Sequence, residues 1–453
     1  MKQILTLILA LLLCFLVIHP VIALDARWNT NISGNHLSSV SITSDGSKIV
    51  LGSRNGNTYL FSDTGELLWM RKDLGNQIAK ISSDGSEIVI GTQEDLYSNK
   101  GVLRYFHVEG ESSDDLDINL RSKAITGWIS DLHIAKDGTN SVFGTIRGDV
   151  ELVEPDGEQT KLSSDDILQS VPVGDVAISP DGSTVAYSIW GGKEPHFVIT
   201  GEEYYVDEIT DNTITRIALS YNGSFLVETA GEGTAGKLSL LSGNGKIIWS
   251  EKTSIIHDLL IADDASVVVS GTDDGVIHVF SHSGDPMWTY QADGPITALS
   301  MTPSASKIVA GTPRGTIYLL DKNGSLLGKY HANGLLYDGV SLLEISNDGG
   351  SIIAVLNSRE LIYFKTEDVS ILVSGVSKPA NSDSELGSDE LNYSSPYFSY
   401  IKWFKQTVSE SGNNLSLIVI SDNSVIYWSG PDSSSSLRYT PWIFPGQNNI
   451  SRT

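Results

Sequence analysis

The chain has 453 residues, a formal net charge of −25, 40% hydrophobic and 19% charged residues, and a single cysteine. That apolar content builds a real core and excludes wholesale disorder, while the length suits two or three ordinary domains or one large repeat array. The excess of 55 acidic over 30 basic residues excludes a general nucleic-acid binder, which needs a positive field to meet phosphate. One cysteine excludes a disulfide scaffold and a cysteine-type zinc cluster.

Residues 1–23 read as a leader. Lys2 supplies a short positive region, Ile4 to Ile18 are apolar apart from Thr6, and Val21 and Ala23 stand at −3 and −1 of a cleavage after Ala23. The apolar run suits a signal peptide and is short of the roughly 20 residues that cross a bilayer; an uncleaved N-terminal anchor is the alternative. The body is expected to be extracytoplasmic, secreted or at the cell surface, with membrane contact only through an uncleaved leader.

From residue 25 one phrase recurs: an alternating apolar strand, a tight turn, a second apolar strand and a small residue. The turns fall at Asp45-Gly46, Asp84-Gly85, Asp137-Gly138, Asp181-Gly182, Asn222-Gly223, Asp264-Ala265, Ser304-Ala305 and Asp348-Gly349. Seven residues after the first turn residue stand Gly52, Gly91, Gly144, Ser188, Thr229, Gly271, Gly311 and Val355. Apolar side chains three and five residues before each turn, such as Ile42 and Val40, share one strand face. The strand after the turn, as in Lys307-Ile308-Val309-Ala310, is almost continuously apolar, the mark of burial on both faces.

A third strand follows a Gly-containing turn, and then a Gly with Trp four residues later at Gly65/Trp69, Gly245/Trp249 and Gly284/Trp288. Four strands in roughly 40–45 residues is the size of a propeller blade. Trp28 precedes the first repeat as those tryptophans precede theirs, and the eighth repeat has no evident fourth strand. The N-terminal strand is therefore expected to complete the last blade and remove the free edges of an open array. The expected fold is an all-β propeller over residues 25–369, of eight four-stranded blades with seven or nine as alternatives. Residues 370–395 read as an acidic, Ser-rich linker, and 396–453 as a β-hairpin segment (Leu415–Ile420 and Ser424–Trp428) with a Ser-rich tail.

The phrases Leu60-Phe61-Ser62-Asp63-Thr64-Gly65-Glu66-Leu67-Leu68-Trp69 and Val279-Phe280-Ser281-His282-Ser283-Gly284-Asp285-Pro286-Met287-Trp288 resemble the quinoprotein (PQQ-like) propeller repeat, whose Gly-x-x-x-Trp docks one blade on the next. Ile178-Ser179-Pro180-Asp181-Gly182-Ser183 resembles WD40-type and TolB-like repeats. The resemblance spans about three quarters of the chain and implies a propeller; it leaves function open, since one fold hosts many activities. No Trp-Asp dipeptide ends the third strand and no Gly-His pair opens a repeat. The adjacent cysteines common under the quinone cofactor of the dehydrogenases have no counterpart, because the only thiol is Cys14. The resemblance is thus to non-catalytic members, such as the β-barrel assembly lipoprotein and exported prokaryotic, notably archaeal, proteins.

In such a ring the loops joining strands two and three, and those joining blades, open on one face. Arg147 and Arg314 share one repeat position there, occupied by Asn55 and Asp274 in other blades. Two rim arginines suit a carboxylate or a glycan acid, although solvated turn residues would look the same. Trp128 and Trp190 fall where aromatics stack on sugars, fill a partner's pocket, or pack between blades. The acidic pairs, including Asp263-Asp264 and Asp273-Asp274, lack the spacing of a calcium loop. The histidines, His133 and His257 among them, lack zinc pairing, and no Gly-x-Ser-x-Gly elbow is present. Sequons stand at Asn31, Asn222, Asn323, Asn392, Asn414 and Asn449. The expectation is a scaffold binding a protein or glycan at the cell envelope, with no catalytic residue, metal or cofactor. A quinoprotein-like or sugar-active enzyme using the central channel is one alternative, and a structural envelope component another.

Overall fold

The computed structural model describes residues 21–32, 36–93, 100–109, 117–136, 138, 140–154, 158–162, 171–189, 196–199, 202–205, 213–223, 225–232, 235–243, 245–332, 339–372, 401–408, 414–421, 424–431 and 436–441. It comprises two compact units, one of Ala26–Asp368 and one of Met1–Asp25 with Val369–Thr453.

Among the described residues the first unit holds six antiparallel four-stranded sheets and one eight-stranded sheet, in which the N-terminal strand joins two four-stranded groups. Their innermost strands are Leu37–Ile42, Ile78–Ile81, Ile129–Ile134, Val173–Ile178, Thr213–Leu219, Ile256–Ile261, Ala298–Met301 and Val340–Ile345. Each packs beside the innermost strand of the next sheet, and Val340–Ile345 packs beside Leu37–Ile42, so the series returns to its start. This is a β-propeller, as the repeat predicted. The N-terminal strand Val21–Asn31 lies against Glu360–Leu372 as the fourth strand of the last blade, and also borders Leu326–His331 of the seventh.

The repeat pattern has direct packing causes. Second strands are walled in on both faces: Val50, Ile88, Val142, Val269, Val309 and Ile353 are all fully buried. The small residue after them is demanded by the neighbouring blade, since a Cβ on Gly311 would run into the Val340 side chain and one on Gly271 into Ile296. At the outer edge Trp249 donates from Nε1 to the His282 carbonyl at 3.0 Å, and Trp288 to that of Lys322 at 2.8 Å. A Cβ on Gly284 or Gly324 would lie 2.7 Å from those indole rings. The Gly thus belongs to the blade that follows the Trp it covers. The same contact closes the ring: Trp28 donates to the Asp63 carbonyl at 2.7 Å and stacks on Tyr363 at 5.3 Å.

Among the described residues the second unit contains one antiparallel four-stranded sheet, Ile401–Val408, Asn414–Ser421, Ser424–Pro431 and Ser436–Pro441. Asn414–Ser421 and Ser424–Pro431 pair at its centre. The outer strands escaped notice because an aromatic stretch and a Ser-rich tail hide the alternation that marks a strand.

Trp28→Ala removes the closing indole and its hydrogen bond. It is expected to lower unfolding stability by about 3 kcal/mol, the order seen for large-to-small aromatic truncations, in urea titrations followed by tryptophan fluorescence and circular dichroism. Gly311→Val should cost at least as much, because the rigid Val340 side chain leaves no room for the added atoms.

Candidate functional site

The innermost strands alternate. Residues five and three before each turn enter the sheets, so residues six and four before it face the axis. These axial positions carry charges: Asp131, Asp175, Arg216 and Asp258 at six before the turn, and Lys80, His133 and Glu344 at four before it. Lys80, Asp131, Arg216, Asp258 and Glu344, together with Arg54, line a chamber of about 500 Å³.

The acids act first as staples between consecutive blades. Asp131 accepts from Val176 N at 3.0 Å, Asp175 from Ile217 N at 2.7 Å, Asp258 from Leu299 N at 2.8 Å and Glu344 from Ile42 N at 3.0 Å. Hydroxyls do the same elsewhere: Ser39 caps Ala79 N at 2.9 Å and Ser300 caps Ile345 N at 3.1 Å. A backbone N–H facing the axis has no strand partner, and an orphaned donor is costly, so a polar side chain from the preceding blade satisfies it.

Electrostatically the chamber is uneasy. Burial, with the nearby Asp131 charge, pushes the Asp175 carboxyl well above its usual value despite the opposing pull of Arg216 and the Ile217 N–H. Burial also raises Asp258 and Glu344, and lowers His133. Lys80 approaches Glu344 at 3.6 Å and offsets part of that push. The Lys80 and Glu344 side chains remain 23% and 26% exposed to the chamber, so water tempers these effects.

The two ends of the axis differ. At the turn end the residues preceding the turns form a hydrogen-bonded ring: Ser44 N to Ser83 O, Ser83 N to Lys136 O, Lys136 N to Pro180 O, Tyr221 N to Asp263 O and Asp263 N to Pro303 O. The series pauses at Pro180 and Pro303, which accept but have no N–H to give. Asp348 N returns it to Ser44 O at 3.0 Å. Lys136 Nζ bonds both Asp263 carboxylate oxygens at 2.8 Å, joining the third blade to the sixth. The opposite end opens among the loops.

Arg147, Arg314, Asn55 and Asp274 all lie in turns of that loop face, as does Trp128 in a blade-joining segment. Arg147 and Arg314 are exposed but stand on the third and seventh blades, four places apart in the ring. Arg147 instead neighbours Trp128, whose carbonyl accepts from Ile146 N at 2.9 Å. Asn55 Oδ1 accepts from Ser53 Oγ at 2.9 Å, and Asp274 accepts from Thr272 at 2.5 Å and Ser254 at 2.7 Å; these two shape their turns. Trp190, Asn392 and Asn449 lie outside the described residues, as does the Asn222 side chain. Asn31 and Asn323 are exposed, and Asn414 opens a strand of the second unit. The axial charges were missed, although the repeat arithmetic contained them: Asp131, Asp175 and Asp258 share one position on the face opposite the apolar one. Among the described residues no three His, Cys, Asp or Glu side chains converge as metal ligands would.

Comparison with known proteins agrees with this architecture. A family model described as outer membrane protein assembly factor BamB matches residues 177–338. The structure of Chaetomium thermophilum Sqt1 bound to the N-terminus of ribosomal protein L10 is similar with a TM-score of 0.62 at 15% identity, covering 76% of this chain and 100% of that one. The C-terminal WD40 domain of Sif2 gives 0.59 at 17% identity, covering 76% and 99%. The computationally designed Ika8 protein gives 0.57 at 18%, covering 74% and 98%. At such identities the likeness shows the fold. No curated protein matches the sequence. The chain thus has the β-propeller fold, and its residues 177–338 are similar to the assembly-factor family of that model.

Stability should peak in mild acid. Asp175, Asp258 and Glu344 are raised in the folded state, so their contribution is present below their ordinary values and is lost as pH rises through the folded ones. In the turn aspartates Asp45, Asp84 and Asp181, burial pulls upward, but Ser and Thr hydroxyls and backbone N–H groups outweigh it and hold each below the ordinary 3.8. Their contribution is therefore lost in stronger acid. Melting temperature against pH checks this. Asp175→Asn keeps an acceptor for Ile217 N and should flatten the decline toward neutral pH.

Proposed function

We propose that the protein is an exported, non-catalytic scaffold that binds a protein partner on the loop face of its propeller. The observation that carries this reading is the asymmetry of the axis: hydrogen bonds and the Lys136–Asp263 pair occupy the turn end, while the chamber opens among the loops. The loop face also carries the exposed Arg147 and Arg314, and arginine is favoured in protein interfaces. Protein binding by such a scaffold has a parallel in Sqt1, seen bound to the N-terminus of a ribosomal protein. The axial carboxylates favour the scaffold reading over the enzyme reading, since each accepts a backbone N–H that holds the next blade.

The leader of residues 1–23 supports export and a place at the cell surface. Fractionation of the source cells should put the protein outside the cytoplasm; recovery in the cytosol would contradict this part. For the face, a partner captured from envelope extract and identified by mass spectrometry should bind Arg147→Glu and Arg314→Glu variants at least tenfold more weakly, on the scale of one lost charge-assisted contact. Lys322→Glu, in an edge turn of the other face, should bind normally. The reverse pattern would overturn the assignment of the face.

A further inference from the structure

At the rim of the ring the fourth strands begin at the turn end of the axis. On the sixth blade His282 N, just ahead of that strand, donates to the Ser266 carbonyl beside the Asp264-Ala265 turn at 3.2 Å, and on the first Asp63 N donates to Ser47 O at 2.9 Å. On the fifth and seventh, Ser242 pairs with Phe225 and Asp321 with Lys307, the residues that open the second strands. The first residues of the fourth strands divide the ring. Those of the second, third and fourth blades open on Asp117-Ile118, Gln159-Thr160 and Glu202-Glu203, whereas those of the first, fifth, sixth and seventh open on Leu67-Leu68, Ile247-Ile248, Pro286-Met287 and Leu326-Leu327. Leu67, Ile247, Ile248 and Met287 are 44%, 39%, 40% and 49% exposed. Singly such exposure is ordinary, but a contiguous apolar stretch marks a contact surface. The fifth, sixth and seventh edges do adjoin, because Trp249 reaches the His282 carbonyl and Trp288 that of Lys322, and both indoles are partly exposed. Lys246 and Lys322 stand exposed in the same turns. The acids there shape the turns themselves: Asp285 accepts from Ser283 Oγ at 2.5 Å, and Asp321 from Asn323 N and Ser325 N at 2.8 Å.

The N-terminal strand enters the ring at this rim, where it borders Leu326–His331. Its direction is fixed by Trp28, bonded to Asp63 at the turn end, and by Ile32, whose N–H donates to the Arg359 carbonyl at 3.0 Å on the loop side. The chain therefore reaches Trp28 from the turn face, and in sequence it comes from the apolar run Ile4–Ile18. Cleavage after Ala23 would cut the strand Val21–Asn31. It would also leave an ammonium on Leu24, which is 1% exposed, and an unpaired buried charge is costly. We propose that the leader is retained in the bilayer and that the turn-face rim of the fifth to seventh blades rests on the same membrane, with Ile247, Ile248 and Met287 against the lipid and Lys246 and Lys322 toward its phosphates. An apolar run short of a full span holds marginally by itself, and a second membrane contact makes the attachment firm. Tryptophans with a bonded N–H and a partly open ring suit the boundary between lipid and water. The proposal rests on the export reading of the leader and is independent of the partner proposed for the loop face, which this orientation leaves turned away from the membrane.

The test places the full chain, with Cys14→Ser, in vesicles of phosphatidylcholine and phosphatidylglycerol, with an environment-sensitive fluorophore on one introduced cysteine. The label on Met287→Cys should emit blue-shifted light that is lost when the lipids carry a quencher. The label on Leu74→Cys, 51% exposed but on the loop side, should remain water-like in the same vesicles. Adding Ile248→Asp to the Met287→Cys chain should return its emission to the water-like value while circular dichroism stays unchanged. The intact mass of the protein from its source membranes should include the leader. A chain that floats with the vesicles while its Met287→Cys label stays water-like overturns the rim contact, and a chain that does not float, or a natural one that begins at Leu24, overturns the anchor. A blue shift that grows with protein concentration and ignores the lipid quencher makes a second copy of the chain the occupant and overturns the proposal too. The cell fractionation described above tests export separately.

Discussion

A four-stranded sheet with apolar residues on both faces cannot hide either face by itself, and the structure follows from the need to cover both. Each blade supplies one wall of its neighbour's core, so stability is shared between blades rather than owned by any of them. Close approach is the condition for this. It is met at the inner end by the small residue that admits the next blade, as Gly311 admits Val340, and at the outer edge by a Gly that lies under the preceding Trp, as Gly324 lies under Trp288. An open series would leave two apolar faces exposed. Here Trp28 on Asp63 repeats at the seam the contact made between interior blades.

The axis solves a second problem. Innermost strands have neighbours on one side only, so their inward N–H groups need acceptors from elsewhere. Side chains of the preceding blade provide them, and carboxylates do so in four of the junctions. This arrangement gathers acids into one chamber and raises several of their proton affinities. A charged, poised channel can therefore arise from backbone satisfaction alone, without catalysis, and that is why perturbed acids here do not by themselves mark an active site.

Much of the fold was legible in the chain because its causes are local and periodic. The Asp-Gly turns, the alternating strands and the small residue recur at fixed offsets, and the small residue answers to a packing need seen at Gly271 and Gly311. The N-terminal strand's role was legible from Trp28, since its context matches that of Trp249 and Trp288. The C-terminal sheet was half legible, because only its central hairpin has a clean alternation. The loop face was the least legible. Sequence position ties Arg147 to Arg314, yet equal positions in a ring lie apart by as many blades as separate them. His36 and Arg359 occupy unlike sequence contexts and meet only because the ring joins its two ends. Periodicity reports what is repeated and leaves out a contact made once.

The seam is the place to test the account. A chain beginning at His36 lacks the strand that completes the eighth blade, and hydrogen exchange read blade by blade shows how far the damage spreads. A closed ring predicts lost protection on both sides of the gap, in the inner strands Leu37–Ile42 and Val340–Ile345 alike, together with a lower global opening energy in distant strands such as Ile256–Ile261. Protection unchanged in Leu37–Ile42, with loss confined to the eighth blade, would show that the first and last blades do not depend on one another and would contradict closure.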